Sequence, residues 1–172
     1  FIGIDLGSSS VKVAVVNGES GATITTVKFP EQEMEINAVQ PLWAEQDPEL
    51  WWEYTPAAMQ QALQHPDVRK DSIGAIGIAY QMHGLVLCDE DGKVLRPSII
   101  WCDSRAVDIG LNAYTTLGET FCREHLLNSP GNFTASKMKW VLDHEPKVAD
   151  QAKYLFLPGD FLAFRLTGIP CS

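Results

Sequence analysis

Residues 1–13, FIGIDLGSSSVKV, constrain the fold of this chain more than any other stretch. An apolar run ends in Asp5, a turn rich in Gly and Ser follows, and Val11 and Val13 open a second strand. A turn this short between two strand-like runs reads as a β-hairpin. Its tip carries a carboxylate, backbone N–H groups and three hydroxyls together. That chemistry suits a nucleotide's phosphates and Mg²⁺. The metal keeps several waters and takes only one or two carboxylates, so exposed Asp5 would hold it through water. Successive N–H groups in a tight turn form an anion-binding nest, and Gly7 would allow a positive φ and a close backbone approach. The plainer alternative is an ordinary hairpin with a polar turn, since Gly and Ser are common turn residues. The motif is neither GxxxxGK[ST] nor GxGxxG, and a strand rather than a helix follows it.

The next segments predict a mixed sheet with helices. Residues 1–6, 11–16 and 22–29 read as three antiparallel strands, with Val11, Val13 and Val15 on one face and Lys12 on the other. Residues 30–46 read as a long loop punctuated by Pro30 and Pro41. Asp47-Pro48 is an N-cap followed by proline at the first helical position. That helix runs to about Gln64 with Leu50, Tyr54, Ala58 and Ala62 down one side. Ile73 to Tyr80 reads as a buried strand in which Gly74 and Gly77 mark close packing. Residues 85–88 and 93–95 pair as a hairpin across Asp89–Gly92, and Ser98–Trp101 is a short apolar run. Helices are expected at about 104–117, 118–126, 136–144 and 158–166, the last with Gly168 as its C-cap. Residues 153–157 form one more strand. The order β-β-β-α-β, then helices, then β-α predicts an α/β fold with helices packed on a mixed sheet.

Composition narrows the function classes. The net charge is −9 over 172 residues. No Lys/Arg cluster is present, which argues against nucleic-acid binding. No stretch is long and apolar enough for a membrane span, and the first strand begins without a basic leader. The four cysteines, Cys88, Cys102, Cys122 and Cys171, form no CxxC pair and fit no zinc spacing. They read as reduced thiols in a cytoplasmic protein. The start at Phe1 and the stop after Ser172 both suggest a truncated chain.

Three further segments carry candidate chemistry. Gln81-Met82-His83-Gly84 follows the 73–80 strand, and polar side chains just past such a strand sit at a sheet rim, a usual place for a ligand. Gln81 and His83 could donate to a hydroxyl, or the segment is a turn with a satisfied histidine. Trp101-Cys102-Asp103-Ser104-Arg105 offers a flat apolar wall for the C–H face of a sugar and a carboxylate for its hydroxyls. Alternatively Asp103 or Ser104 caps the next helix and Arg105 is solvated. Residues 132–144 read as a loop entering an amphipathic helix, with Trp140 and Val141 in the core and Ser136 as a cap.

Taken in order, IGIDLGSSSVKV, PLWAEQDPELWW, GIAYQMHGLVL, LRPSIIWCDSRA, FTASKMKWVLDHEP and YLFLPGDFLAFRLTG resemble the FGGY family of carbohydrate kinases over nearly the whole chain. Asn132 departs from the small or aromatic residue usual at the first signature position. The resemblance implies a ribonuclease-H-like core, as in actin-like ATPases and sugar kinases, with residues 1–172 as a truncated N-terminal domain and the C-terminal domain absent. It implies ATP and Mg²⁺ as cofactors and Asp5 as the catalytic carboxylate that positions MgATP, with the general base outside this chain. Gly7, Ser8, Ser9, Ser10 and Lys12 would line the phosphates. Gln81, Met82, His83, Trp101 and Asp103 would bind the sugar, while Lys137 and Trp140 would be structural. The Met-His-Gly form typifies family members acting on xylulose. The expected reaction is therefore phosphorylation of D-xylulose at O5, by the full-length protein and not by these residues alone. Other family substrates (ribulose, gluconate, glycerol) are the alternatives, as is a non-catalytic actin-like binding module. The expected partners are a pentulose sugar and ATP, with no nucleic acid and no membrane; a homodimer stays open.

Overall fold

The computed structural model describes residues 1–171. In chain order the elements are β1 (Ile2–Leu6), β2 (Val11–Val16), β3 (Thr23–Phe29), β4 (Glu45–Gln46), α1 (Pro48–Ala62), β5 (Ile76–Tyr80), β6 (Val86–Cys88), β7 (Ser98–Ile99), α2 (Val107–Leu117), α3 (Glu119–Phe121), α4 (Thr134–His144), α5 (Pro146–Gln151), β8 (Tyr154–Phe156) and α6 (Pro158–Thr167). They fall into two compact units. One comprises residues 1–35, 47–81 and 158 onward; the other comprises 36–46 and 82–157.

The first unit is built on a four-stranded sheet in the order β3-β2-β1-β5. β1, β2 and β3 form an antiparallel meander, and β5 runs parallel to β1. Period-two side-chain alternation decides its faces. Ile2, Ile4, Leu6, Val11, Val13 and Val15 are all buried, while Gly3, Asp5 and Lys12 stand on the opposite, exposed side. α1 packs on β2 and β3. Asp47 caps it as expected, its carboxylate accepting from the Glu49 N–H at 2.9 Å. The buried stripe is Trp51, Thr55, Ala58 and Ala62, one position away from the expected Leu50 and Tyr54. Thr55 is tolerated there because its hydroxyl donates to the Trp51 carbonyl at 2.7 Å.

β5 differs from expectation. It is an edge strand, and its residues are exposed or half-buried rather than buried. An apolar run cannot by itself separate a central strand from an edge strand. Gly77 does not mark close packing either, since an added Cβ would meet nothing within 4 Å. The close approach lies at the end of the same strand, where a Cβ on Gly159 would run into the Tyr80 ring.

The second unit has two short antiparallel ladders, β4–β7 and β6–β8. Its core gathers Leu85, Leu87, Ile99, Ala106, Trp140 and Val141. The 30–46 segment is therefore not all loop, because Glu45 and Gln46 pair with Ile99 and Ser98. The expected 85–95 hairpin is present across Asp89–Gly92, as a Cys88–Val94 bridge, the Asp89 N–H bonded to the Lys93 carbonyl and the Leu95 N–H bonded to the Leu87 carbonyl, but the ladder partner of β6 is β8. α2 begins at Val107, so neither Asp103 nor Ser104 caps it. α4 begins two residues before the expected 136, and Ser136 is no cap; its hydroxyl donates to the Pro130 carbonyl at 2.7 Å. Residues 122–126 form a π turn in place of regular helix.

Gly110 lies in α2, where alanine ordinarily favours the helix by about 1 kcal/mol. Here a Cβ would strike the Pro130 carbonyl and the Gly131 backbone. Gly110→Ala is therefore expected to destabilise the fold by roughly 1–3 kcal/mol, against the helix preference. Urea denaturation of both proteins checks the sign.

Candidate functional site

At the hairpin tip of the first unit, strand pairing fixes the position of the carboxylate. Asp5 faces Lys12 directly across β1 and β2, and Lys12 Nζ lies 3.6 Å from Asp5 Oδ2 with both side chains about half exposed. An ion pair in water contributes on the order of 0–1 kcal/mol, so it leaves both groups available to a ligand. The Gly7 N–H donates to the Ser10 carbonyl at 3.0 Å and closes the turn, and the Met34 N–H donates to the Ser9 carbonyl at 2.9 Å. Ser8 and Ser9 are half-buried, and Ser10 is buried. Contrary to expectation, Gly7 is not among the residues with positive φ, and a Cβ there would make ordinary contact with the Ser10 carbonyl at 3.4 Å. The turn is closed by its hydrogen bond, and a left-handed residue is not needed.

The exposed Asp5 carboxylate at the tip fits a hydrated Mg²⁺, and the neighbouring hydroxyls and the Lys12 ammonium, which only donates, suit phosphate oxygens. Among the described residues no group of three or more His, Cys, Asp or Glu could hold a metal directly. Gln81 sits at the same sheet end, since its N–H continues the β1–β5 ladder by donating to the Leu6 carbonyl at 2.8 Å.

The second unit holds Met82, His83, Trp101 and Asp103. Met82 is exposed, and Trp101 is 46% exposed. His83 lies in the left-handed region at φ 58°, which a residue with a Cβ enters at a penalty of roughly 1–2 kcal/mol. Its ring stacks on Phe133 at a centroid distance of 4.9 Å and an interplanar angle of 20°. Its carbonyl accepts from Lys137 Nζ at 2.6 Å. Burial, and then the nearby Lys137 charge, lower the imidazole pKa below its usual value and favour the neutral ring. Asn132 Nδ2 donates to the Trp101 carbonyl, giving the unusual signature residue a role in the fold.

Asp103 is not an open sugar acceptor in this conformation. Its side chain is fully buried. One oxygen accepts from the Ala44 N–H at 2.6 Å, and both oxygens accept from the Arg105 guanidinium. Arg105 is not solvated. It also pairs with Glu45 at 2.8 Å and lies 3.8 Å over the centre of the Trp43 ring. Glu45 in turn pairs with Arg96 at 2.5 Å, and Arg96 with Glu145 at 2.8 Å. The sequence reading missed Glu45, Arg96, Glu145 and Phe133. The two ion pairs that Arg96 makes span 51 and 49 positions of chain, and no local motif encodes such pairings. Asp103 and Arg105 were visible as charges two residues apart, but not as buried ones.

The model for "FGGY family of carbohydrate kinases, N-terminal domain" matches residues 1–172. The chain belongs to the FGGY family. It is 40% identical to the xylulose kinase of Escherichia coli (strain K12) over 98% of its own length and 33% of the relative's. It is 35% identical to the xylulose kinase of Bacillus subtilis (strain 168), again over 98% and 33%. A solved structure described as a xyloylose kinase from Brucella ovis superposes with a TM-score of 0.86 at 30% identity, covering 98% of this chain and 34% of that one. The chain thus spans about a third of the length of the curated relatives it matches. Its mixed sheet and flanking helices agree with the actin-like fold of FGGY sugar kinases. No helix among the described residues is long and apolar enough to cross a membrane, and no disulfide joins the cysteines.

In this FGGY domain Lys137 is fully buried. Burial lowers its pKa from 10.5 to about 8, with Asp103 opposing the shift. Between those two values the unfolded chain keeps a proton that the folded chain has released. Unfolding free energy therefore rises with pH across that window, and below it the group's penalty is fully present. Relative to Lys137→Met, the natural chain is expected to gain about 2 kcal/mol between pH 7.5 and 9.5. Urea denaturation at the two pH values tests this.

Proposed function

We propose that the protein carrying this chain transfers the γ-phosphoryl group of ATP to the O5 hydroxyl of D-xylulose, giving D-xylulose 5-phosphate, ADP and a proton. The observation that carries this reading is the match of 98% of this chain to the corresponding third of proteins named xylulose kinase, at up to 40% identity. The arrangement of the first unit supports it. Asp5 would hold hydrated Mg²⁺, and the Ser8 and Ser9 hydroxyls and Lys12 would meet the phosphates. Gly7 and Ser10 close the turn beneath them. When bound, Mg²⁺ neutralises charge on the phosphate oxygens, which is the main demand of phosphoryl transfer.

In the second unit Met82 and Trp101 give apolar contacts to the C–H faces of the sugar, and the neutral His83 ring hydrogen-bonds a hydroxyl. Gln81 anchors the strand end from which Met82 and His83 follow in the chain. Asp103 acts through Arg105 and the Ala44 backbone as a positioning residue. No residue of this chain is proposed as the general base. The cytoplasm is proposed as the compartment, on cysteine usage that suits reduced thiols.

Full-length protein assayed on D-xylulose, ribulose, gluconate and glycerol is expected to show its highest kcat/KM on D-xylulose; a preference for glycerol would overturn the assignment. Asp5→Ala is expected to lower kcat by roughly two to three orders of magnitude with little change in sugar KM. Steady-state kinetics on the two proteins measures the difference.

A further inference from the structure

Three residues at the start of α4, its cap Phe133 with Thr134 and Lys137, each make a separate contact to the two residues of the 83–84 turn. Lys137 Nζ donates to the His83 carbonyl at 2.6 Å. The Phe133 ring stacks on the imidazole. Thr134 Oγ1 donates to the Gly84 carbonyl at 3.4 Å. A lysine with no exposed surface is an expensive way to hold one carbonyl. His83 also sits in a backbone region that side-chain-bearing residues avoid. Strained residues persist where their surroundings over-determine them, and they cluster at functional positions. Two unfavourable features, one on each side of a single hydrogen bond, mark the contact as more than packing.

We propose that Lys137 is a positioning residue: by fixing the His83 carbonyl it holds the turn left-handed and the imidazole flat on Phe133, and so sets the affinity for sugar. The inference rests on the assignment of His83 to the sugar site. Lysine suits the task because its ammonium offers three donors on a long apolar stem. The charged groups around Lys137 are Asp103 and Arg105, and the titratable neutral groups are the Cys102 thiol, whose pKa burial raises, and the His83 imidazole. Asp103 therefore compensates the buried ammonium as well as binding Arg105.

The test uses the full-length protein with ¹⁵N-labelled histidine. Lys137→Met is expected to remove the Phe133 ring-current shift from the His83 resonances and to raise the His83 pKa toward its ordinary value. Sugar KM is expected to rise about tenfold, with ATP KM unchanged. Phe133→Leu is a second variant that leaves the ammonium in place; it is expected to lose the same ring-current shift and to raise sugar KM, whether or not Lys137→Met folds. His83 resonances that stay as in the natural protein in a folded Lys137→Met variant overturn the proposal. So does an altered His83 spectrum with unchanged sugar KM in both variants. The sugar arm is read on whichever substrate the protein phosphorylates fastest. A wrong sugar assignment therefore leaves the spectral arm intact and is distinguishable from a failure of the positioning role.

Discussion

The second unit depends on one guanidinium. Arg105 is buried against Trp43, shares both oxygens of Asp103 and reaches Glu45. Through these contacts it ties the 42–46 segment to the segment that enters α2, while Asp103 adds the Ala44 N–H to the same node. Burying such a cluster gives little net stability over well-packed apolar residues, but removing one partner leaves an uncompensated charge that costs about 3–5 kcal/mol. What it supplies is a specified arrangement. Asp103 has directed partners in the Ala44 N–H and the Arg105 guanidinium, so the 42–46 segment and the segment that follows Trp101 are held in one arrangement.

The strand and helix order was largely legible in the sequence because it rests on periods of two and 3.6 residues and on caps. Ile2, Ile4, Leu6 and the alternating Val11, Val13 and Val15 of β2 announce a one-sided sheet, and Asp47-Pro48 announces α1. The position of β5 was not legible. Ile76–Tyr80 has the composition of a central strand, and edge or centre is decided by which strands pair, which is a long-range property. The same holds for Gly77 and Gly159. Both are glycines in or near regular structure, yet only Gly159 faces a ring at close range.

The candidate site divides the same way. Asp5 and Lys12 could be placed from local pattern, because cross-strand neighbours in a short hairpin follow from its length. The left-handed His83 could not be foreseen, since its conformation is held by residues fifty or more positions later in the chain. From residue type alone Asp103 could be a hydroxyl acceptor or a helix cap, and only the family resemblance implied a sugar ligand. Its burial was invisible because the arginine that neutralises it reads, in sequence, like any surface arginine.

Side-chain parity in β1 has a consequence for how this region tolerates change. Asp5 is exposed only because Ile2, Ile4 and Leu6 occupy the buried positions of the same strand. The core thus acts as the alignment mark for the carboxylate. Substitutions among Ile, Val and Leu leave that parity untouched. Insertion or deletion of one residue between Ile2 and Asp5 instead sets the core and the carboxylate in competition for one face, because a one-residue slip exchanges the two sides of a strand. Spacing, more than residue identity, is what this hairpin has to keep.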